Sequence, residues 1–217
     1  MSRVDKNVVA HLDSLIQRYP LLEQARVEIY NAFLLMENCY SNGGKLLIAG
    51  NGGSASDSEH IVGELMKSFR KSRPIKAEVM EKLCEVYPDM GSVIGEKLEQ
   101  TLPAISLVTH ESLTTAFSND VDADYCVAQQ LYGYGNEGDV FIGISTSGNS
   151  KNIVYAAALA RALGIHVVGL TGARDSRLAK LSDVAVRVPS TETYIIQEFH
   201  LPIYHCWCSM LEESFFE

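Results

Sequence analysis

Two loops of small residues carry the chemistry most legible in this 217-residue chain: Gly50-Asn51-Gly52-Gly53-Ser54 and Ser145-Thr146-Ser147-Gly148-Asn149-Ser150. Each directly follows a short apolar run, residues 45–49 in one case and 140–144 in the other, and each precedes a helical stretch. The first turn of a helix exposes backbone N–H groups without intrahelical partners at the positive end of the helix dipole, so such a junction suits an anion. Glycine lets the backbone approach closely, and hydroxyls add neutral donors. One junction alone reads equally well as a capped turn. Two together, with four hydroxyls in the second, predict a site for one phosphate.

A second set of chemistry-bearing residues lies on helices. His60 and Glu64 are four residues apart in the helix predicted from about Ser54 to Phe69, a spacing that puts two metal ligands, or a base and its partner, on one face. Gln197, His200 and His205 lie on one long C-terminal helix with Glu198, Tyr204 and Trp207, and spacing alone does not choose between the histidines. The first loop also fits Gly-x-Gly-x-x-Ala through Gly50, Gly52 and Ala55, but no second strand ends in an acidic residue about 20 positions on. Gly-Lys-Ser/Thr is absent at P-loop spacing too, so no nucleotide cofactor is expected.

The elements that must position these residues follow from periodicity. Val8, Leu12, Leu15 and Tyr19, then Ile29, Phe33, Met36 and Tyr40, define two amphipathic helices within residues 3–42, broken at Pro20. Strands are predicted at 45–49, 104–108, 140–145, 166–171 and 184–189, separated by helical patterns. Alternating βα units imply an α/β three-layer sandwich with a five-stranded parallel sheet covered on both faces. In the flavodoxin-like order 2-1-3-4-5 the first and third strands are neighbours at the topological switch point, which places the two loops side by side. Residues 74–103 interrupt the rhythm as an insertion of two short helices joined by a turn at Pro88-Asp89-Met90-Gly91.

Composition bounds the class. The length suits a single domain over residues 1–217, with 47% hydrophobic and 21% charged residues and no tract long enough to span a bilayer. The start of the chain lacks an apolar h-region, so a cytoplasmic protein is expected. A formal charge of −9 argues against nucleic-acid binding but not against a small phosphorylated ligand. Five cysteines without Cys-x-x-Cys spacing predict reduced thiols.

Taken together, Gly50-Asn51-Gly52-Gly53-Ser54, Glu64-Leu65, Ser118-Asn119-Asp120, residues 143–150 and Gln197-Glu198-Phe199-His200 resemble the sugar isomerase (SIS) domain family, within it the phosphoheptose isomerases. The resemblance implies an aldose-ketose isomerase acting on a sugar phosphate such as sedoheptulose 7-phosphate, as a homotetramer with sites at subunit interfaces. It implies that Ser145, Thr146, Ser147 and Ser150 bind the phosphate, assisted by Asn51, Gly52, Gly53, Ser54, Asn119, Asp120 and Gln197. It implies Glu64 as base with His205 as its acid/base partner, and Zn(2+) held by His60, Glu64, Gln197 and His205. It thereby selects His205 over His200. The chain departs from the heptose enzymes at Tyr194-Ile195, where they carry Asp-Arg, and at Ser68, where they carry Arg, with Lys67 as a nearby charge. The competing family roles are a non-catalytic scaffold like the DnaA initiator-associating proteins, which lack the carboxylate and the last histidine, and a sugar-phosphate sensor.

Overall fold

The computed structural model describes residues 6–216. Among them, five strands form one all-parallel sheet in the order β2-β1-β3-β4-β5: β1 Leu46–Ala49, β2 Ala104–Ser106, β3 Val140–Ile144, β4 His166–Thr171 and β5 Val184–Arg187. The order matches the expectation, and β1 pairs directly with β3 from Leu46–Val140 to Ala49–Gly143. The strands are apolar on both faces because both faces are covered. Leu46, Ile48, Val140, Ile142, Ile144, Val168 and Leu170 point into one core, whereas Leu47, Ala49, Phe141 and Val167 alternate into the other.

The first core is closed by helices α1 Lys6–Arg18, α2 Arg26–Ser41, α3 Gly53–Leu65 and α10 Thr193–Phe215. Here α2 buries the predicted stripe Ile29, Phe33, Met36 and Tyr40, while α1 buries Val8, Leu12 and Leu15 but leaves Tyr19 exposed. The Trp207 indole N–H donates to Ile29 O across 2.9 Å and locks α10 onto α2. The second core is closed by α7 Cys126–Tyr134, α8 Lys151–Ala162 and α9 Arg177–Leu181. A short α6, Glu111–Phe117, leads through two further turns into α7. The five cysteines are free thiols. No described helix is long and apolar enough to cross a membrane.

The insertion holds two short helices as expected, α4 Ala77–Val86 and α5 Gly91–Gly95, above an antiparallel bridge between Pro74 and Glu99. The helix expected to reach Phe69 stops at Leu65. Its would-be next amides are taken by carboxylates instead: Ser68 N donates to Glu99 (2.7 Å), and Phe69 N and Arg70 N donate to Glu212 (3.0 and 2.8 Å). Charged acceptors from distant parts of the chain out-compete helix continuation here. The second strand ends two residues early, at Ser106, and the fifth at Arg187.

Candidate active site

The first loop follows β1 and opens α3; the second follows β3 and opens α8. Neither helix N-terminus is capped by a side chain or carries an acidic residue in its first turn, so both turn a positive dipole end toward an anion, while Ser54 N and Ala55 N of α3 already donate to Asn51 O and Gly52 O. Asn51 and Asn152 exchange two amide hydrogen bonds, 2.9 and 2.8 Å, and pin the loops together. Gly50, Asn51, Gly52 and Asn152 line a cavity of about 450 Å³ with Ser118, Asp124 and Gln130 at its far wall. In the second loop, Ser145 Oγ lies 3.1 Å from Ser150 Oγ and accepts from Gly148 N at 3.1 Å. Gly148 has a φ of +63°, and a Cβ there would fall 2.1 Å from Ser176 Oγ, so only glycine fits. Thr146 and Ser147 line a smaller cleft of about 170 Å³ with Arg174 and Thr193. Ser54 is buried in the first turn of α3. Asn119 and Asp120 sit on an exposed turn after α6, with Asn119 Nδ2 donating to Asp120 Oδ1 at 2.9 Å.

The remaining predicted residues meet where α3 and α10 run side by side. His60 Nε2 lies 3.2 Å from Glu64 Oε1 and 3.5 Å from His205 Nε2, so one carboxylate and two imidazoles converge within one chain. Lys67 Nζ donates to Glu64 Oε2 at 2.9 Å, supplying the charge that position 68 does not. Behind the group, Tyr204 Oη donates to Asp57 Oδ1 at 3.2 Å and lies 3.0 Å from His60 Nδ1. With its hydroxyl proton on Asp57, Tyr204 accepts from His60 Nδ1–H, which leaves the His60 Nε2 lone pair facing Glu64 and His205. Burial first, then Asp57, pushes the Tyr204 hydroxyl far up. Burial first, then the neighbouring His60, holds the His205 pKa below the usual histidine value.

Two residues stand apart. Gln197 does not join the trio: a Cβ on Gly53 would fall 2.6 Å from its amide nitrogen, so it lies at the start of α3, about 10 Å of helix before His60. His200 is fully buried, and burial drives its pKa down to about 4, making it a neutral core residue rather than a ligand.

This arrangement has relatives. The SIS domain family model matches residues 83–172, which include the second loop. The chain is 42% identical over 177 residues to the phosphoheptose isomerase of Aneurinibacillus thermoaerophilus, covering 82% of this chain and 76% of that one. It is 34% identical over 215 residues to that of Nitratiruptor sp., covering 99% and 100%. The chain belongs to the phosphoheptose isomerase family. The solved phosphoheptose isomerase of Neisseria gonorrhoeae superposes with a TM-score of 0.72 at 31% identity, covering 97% of this chain and 100% of that one. That of Francisella tularensis gives 0.74 at 30%, covering 98% and 100%.

Against other phosphoheptose isomerases, the structure shows what this chain does with its departures. Ser68 turns its amide and its hydroxyl, both at 2.7 Å, to Glu99 of the insertion. Tyr194 is exposed at the start of α10, and Ile195 is half-buried beside it. Local pattern does not single out Asn152, Arg174 or Asp57, and it gives Tyr204 a place on the last helix but no role. Asn152 lay two residues beyond the second loop, within its helix face; Asp57 and Tyr204 carry no mutual spacing signal, because 147 residues separate them.

Proposed function

We propose that the chain is a sugar-phosphate isomerase interconverting sedoheptulose 7-phosphate and a heptose 7-phosphate through an enediol, with residues 1–217 acting as one SIS domain. The observation that carries this reading is the convergence of Glu64 and His205 on His60 in a chain whose two uncapped helix N-termini are joined by the Asn51–Asn152 pair. Aldose-ketose interconversion needs a base to take the proton from the carbon beside the carbonyl, and an acid/base to shuttle protons between the two oxygens. In this reading Glu64, with Oε2 held by Lys67, takes the first task and His205 the second. The inert phosphate end is held by the loops, through Ser145, Thr146, Ser147 and Ser150 with Asn51, Gly52, Gly53 and Ser54, and Asn119, Asp120 and Gln197 assist in binding the substrate.

Glu64 stands eleven residues, about 16 Å of helix, beyond the loop at Gly53, and His205 lines a cavity separate from the one the loops line. The reading therefore includes a second copy of the chain, in a homotetramer, whose loops bring the substrate to Glu64 and His205.

Zinc belongs to the reading as well. Among the described residues no group of three or more His, Cys, Asp or Glu side chains forms a preformed cage. The donor chemistry nonetheless fits: the His60 Nε2 lone pair, a carboxylate oxygen and the His205 imidazole face one another, and three acceptors in that arrangement call for a proton or a cation. His60, Glu64 and His205 would hold the ion, with Gln197 supplied across an interface. When bound, it would polarise the substrate oxygens.

The test is a panel of five-, six- and seven-carbon ketose and aldose phosphates, assayed with and without zinc. Turnover of the seven-carbon pair supports the reading. No turnover anywhere, with unchanged thermal stability on ligand addition, favours a non-catalytic scaffold.

A further inference from the structure

The turn between Glu64 and the insertion is tied off by two carboxylates and a buried guanidinium that no part of the proposed reaction uses. The Arg73 side chain is fully buried. Its Nε and Nη2 each lie 2.8 Å from Glu212 Oε1, and Nη1 donates to Leu65 O at 3.0 Å, the last residue of α3. The guanidinium stacks 4.5 Å from the Phe216 ring centroid. Arg73 thus caps the C-terminal end of α3 one residue beyond Glu64, where a cation also complements the helix dipole. Glu212, on the helix that bears His205, accepts in addition from Phe69 N and Arg70 N.

Glu99 closes the same knot from the side of the insertion. Its carboxylate takes the Ser68 amide and hydroxyl, each at 2.7 Å, while Ser68 Oγ accepts from Arg73 N at 3.2 Å and Gln100 N donates to Arg73 O at 2.7 Å. The residue next to Ser68 is Lys67, which grips Glu64 Oε2. Backbone position at 66–70 therefore sets both the last turn of α3 and the ammonium that orients the carboxylate.

We propose that Glu99, Ser68, Arg73 and Glu212 form a clasp that positions Glu64 against His205, and that the 74–103 insertion acts on catalysis through Glu99. The residues of the clasp are positioning residues: they touch Glu64 through Lys67 and through the end of α3, not the substrate. The inference rests on Glu64 being the base, and its physical basis is that ångström-scale misplacement of a reacting group costs up to about a hundredfold in rate.

The test compares wild type with Glu99→Gln, an exposed change that leaves the core untouched, and with Glu81→Gln on α4 as control. Glu99→Gln is expected to lower kcat by about ten- to a hundredfold with KM unchanged, and to speed hydrogen exchange of the 68–70 amides with the thermal midpoint held near wild type. Arg73→Lys keeps the charge but not the fork, and is expected to fold with a kcat below that of wild type. Wild-type activity with an unchanged kcat in Glu99→Gln overturns the clasp. Should wild type turn over no sugar phosphate, the functional reading fails instead, and the exchange rates alone then decide whether Glu99 fixes the turn: unaltered protection at 68–70 overturns the proposal.

Discussion

Replacing Gly148 by alanine tests how tightly the second loop is built, and Gly52 provides its natural control. Both glycines have positive φ, +63° and +55°, and Gly52 with its ψ of −122° lies in a region almost reserved for glycine, so alanine at either carries backbone strain of about 1–3 kcal/mol. They differ in surroundings. Around Gly52 a new Cβ meets nothing within 4 Å, whereas at Gly148 it falls 2.1 Å from Ser176 Oγ, 2.4 Å from Ser176 Cβ and 2.8 Å from Thr171 Oγ1. Ser176 cannot step aside freely, because its Oγ accepts from Ala179 N at 3.2 Å and caps α9. Overpacking of this kind adds about 1–3 kcal/mol, and loss of the cap adds about 1 kcal/mol. For a chain of this size each kcal/mol moves Tm by roughly 2–4 °C. Gly52→Ala should then lower Tm by about 6 °C and Gly148→Ala by about 15 °C. Urea and thermal unfolding of both variants measure the difference, and Ser176→Gly in the Gly148→Ala background should recover the steric part. Equal shifts for Gly52→Ala and Gly148→Ala would refute the packing argument.

Three further outcomes are expected. Asn152→Ala breaks the amide pair between the loops and should weaken sugar-phosphate binding by about 5- to 30-fold, roughly 1–2 kcal/mol, read by titration calorimetry; unchanged affinity would uncouple the loops from the anion. His200 has a folded pKa of about 4, so between pH 6.5 and 4 the unfolded state binds the extra proton, and stability present in full above pH 6.5 falls by on the order of 3 kcal/mol as the pH drops through that window. Urea midpoints of wild type and His200→Gln at pH 7 and pH 5 check the sign, and parallel losses in both would assign the acid sensitivity elsewhere. Mixed oligomers of Glu64→Gln and Ser147→Ala/Ser150→Ala subunits, each inactive alone, should regain part of the activity when reassembled together, because one subunit's loops would serve the other's base; no recovery would place the whole site within one chain.

Much of the fold is legible from local pattern. The apolar runs at 46–49 and 140–144 and the loops after them announce a strand-to-helix junction each, and the doubly wound order that makes them neighbours is the one the sheet adopts. His60 and Glu64 are legible for the same local reason, being one helical turn apart. What lies outside local pattern is set by contacts between distant segments. The end of α3 at Leu65 is decided by Glu99 and Glu212, 31 and 143 residues from their amide partners at 68 and 69. The separation of Gln197 from the trio depends on how α10 lies along α3, and helical periodicity fixes a face but not an axial offset between two helices. Asp57 and Tyr204 become hydrogen-bonded neighbours only through that same packing.

The central claim is that Glu64 removes a carbon-bound proton from a sugar phosphate. Sedoheptulose 7-phosphate incubated with the protein in D2O measures it directly. The account predicts a heptose 7-phosphate carrying solvent deuterium at C2 with wild type, and neither product nor exchange with Glu64→Gln although that variant still binds the substrate. Product formed by Glu64→Gln at the wild-type rate would contradict the account.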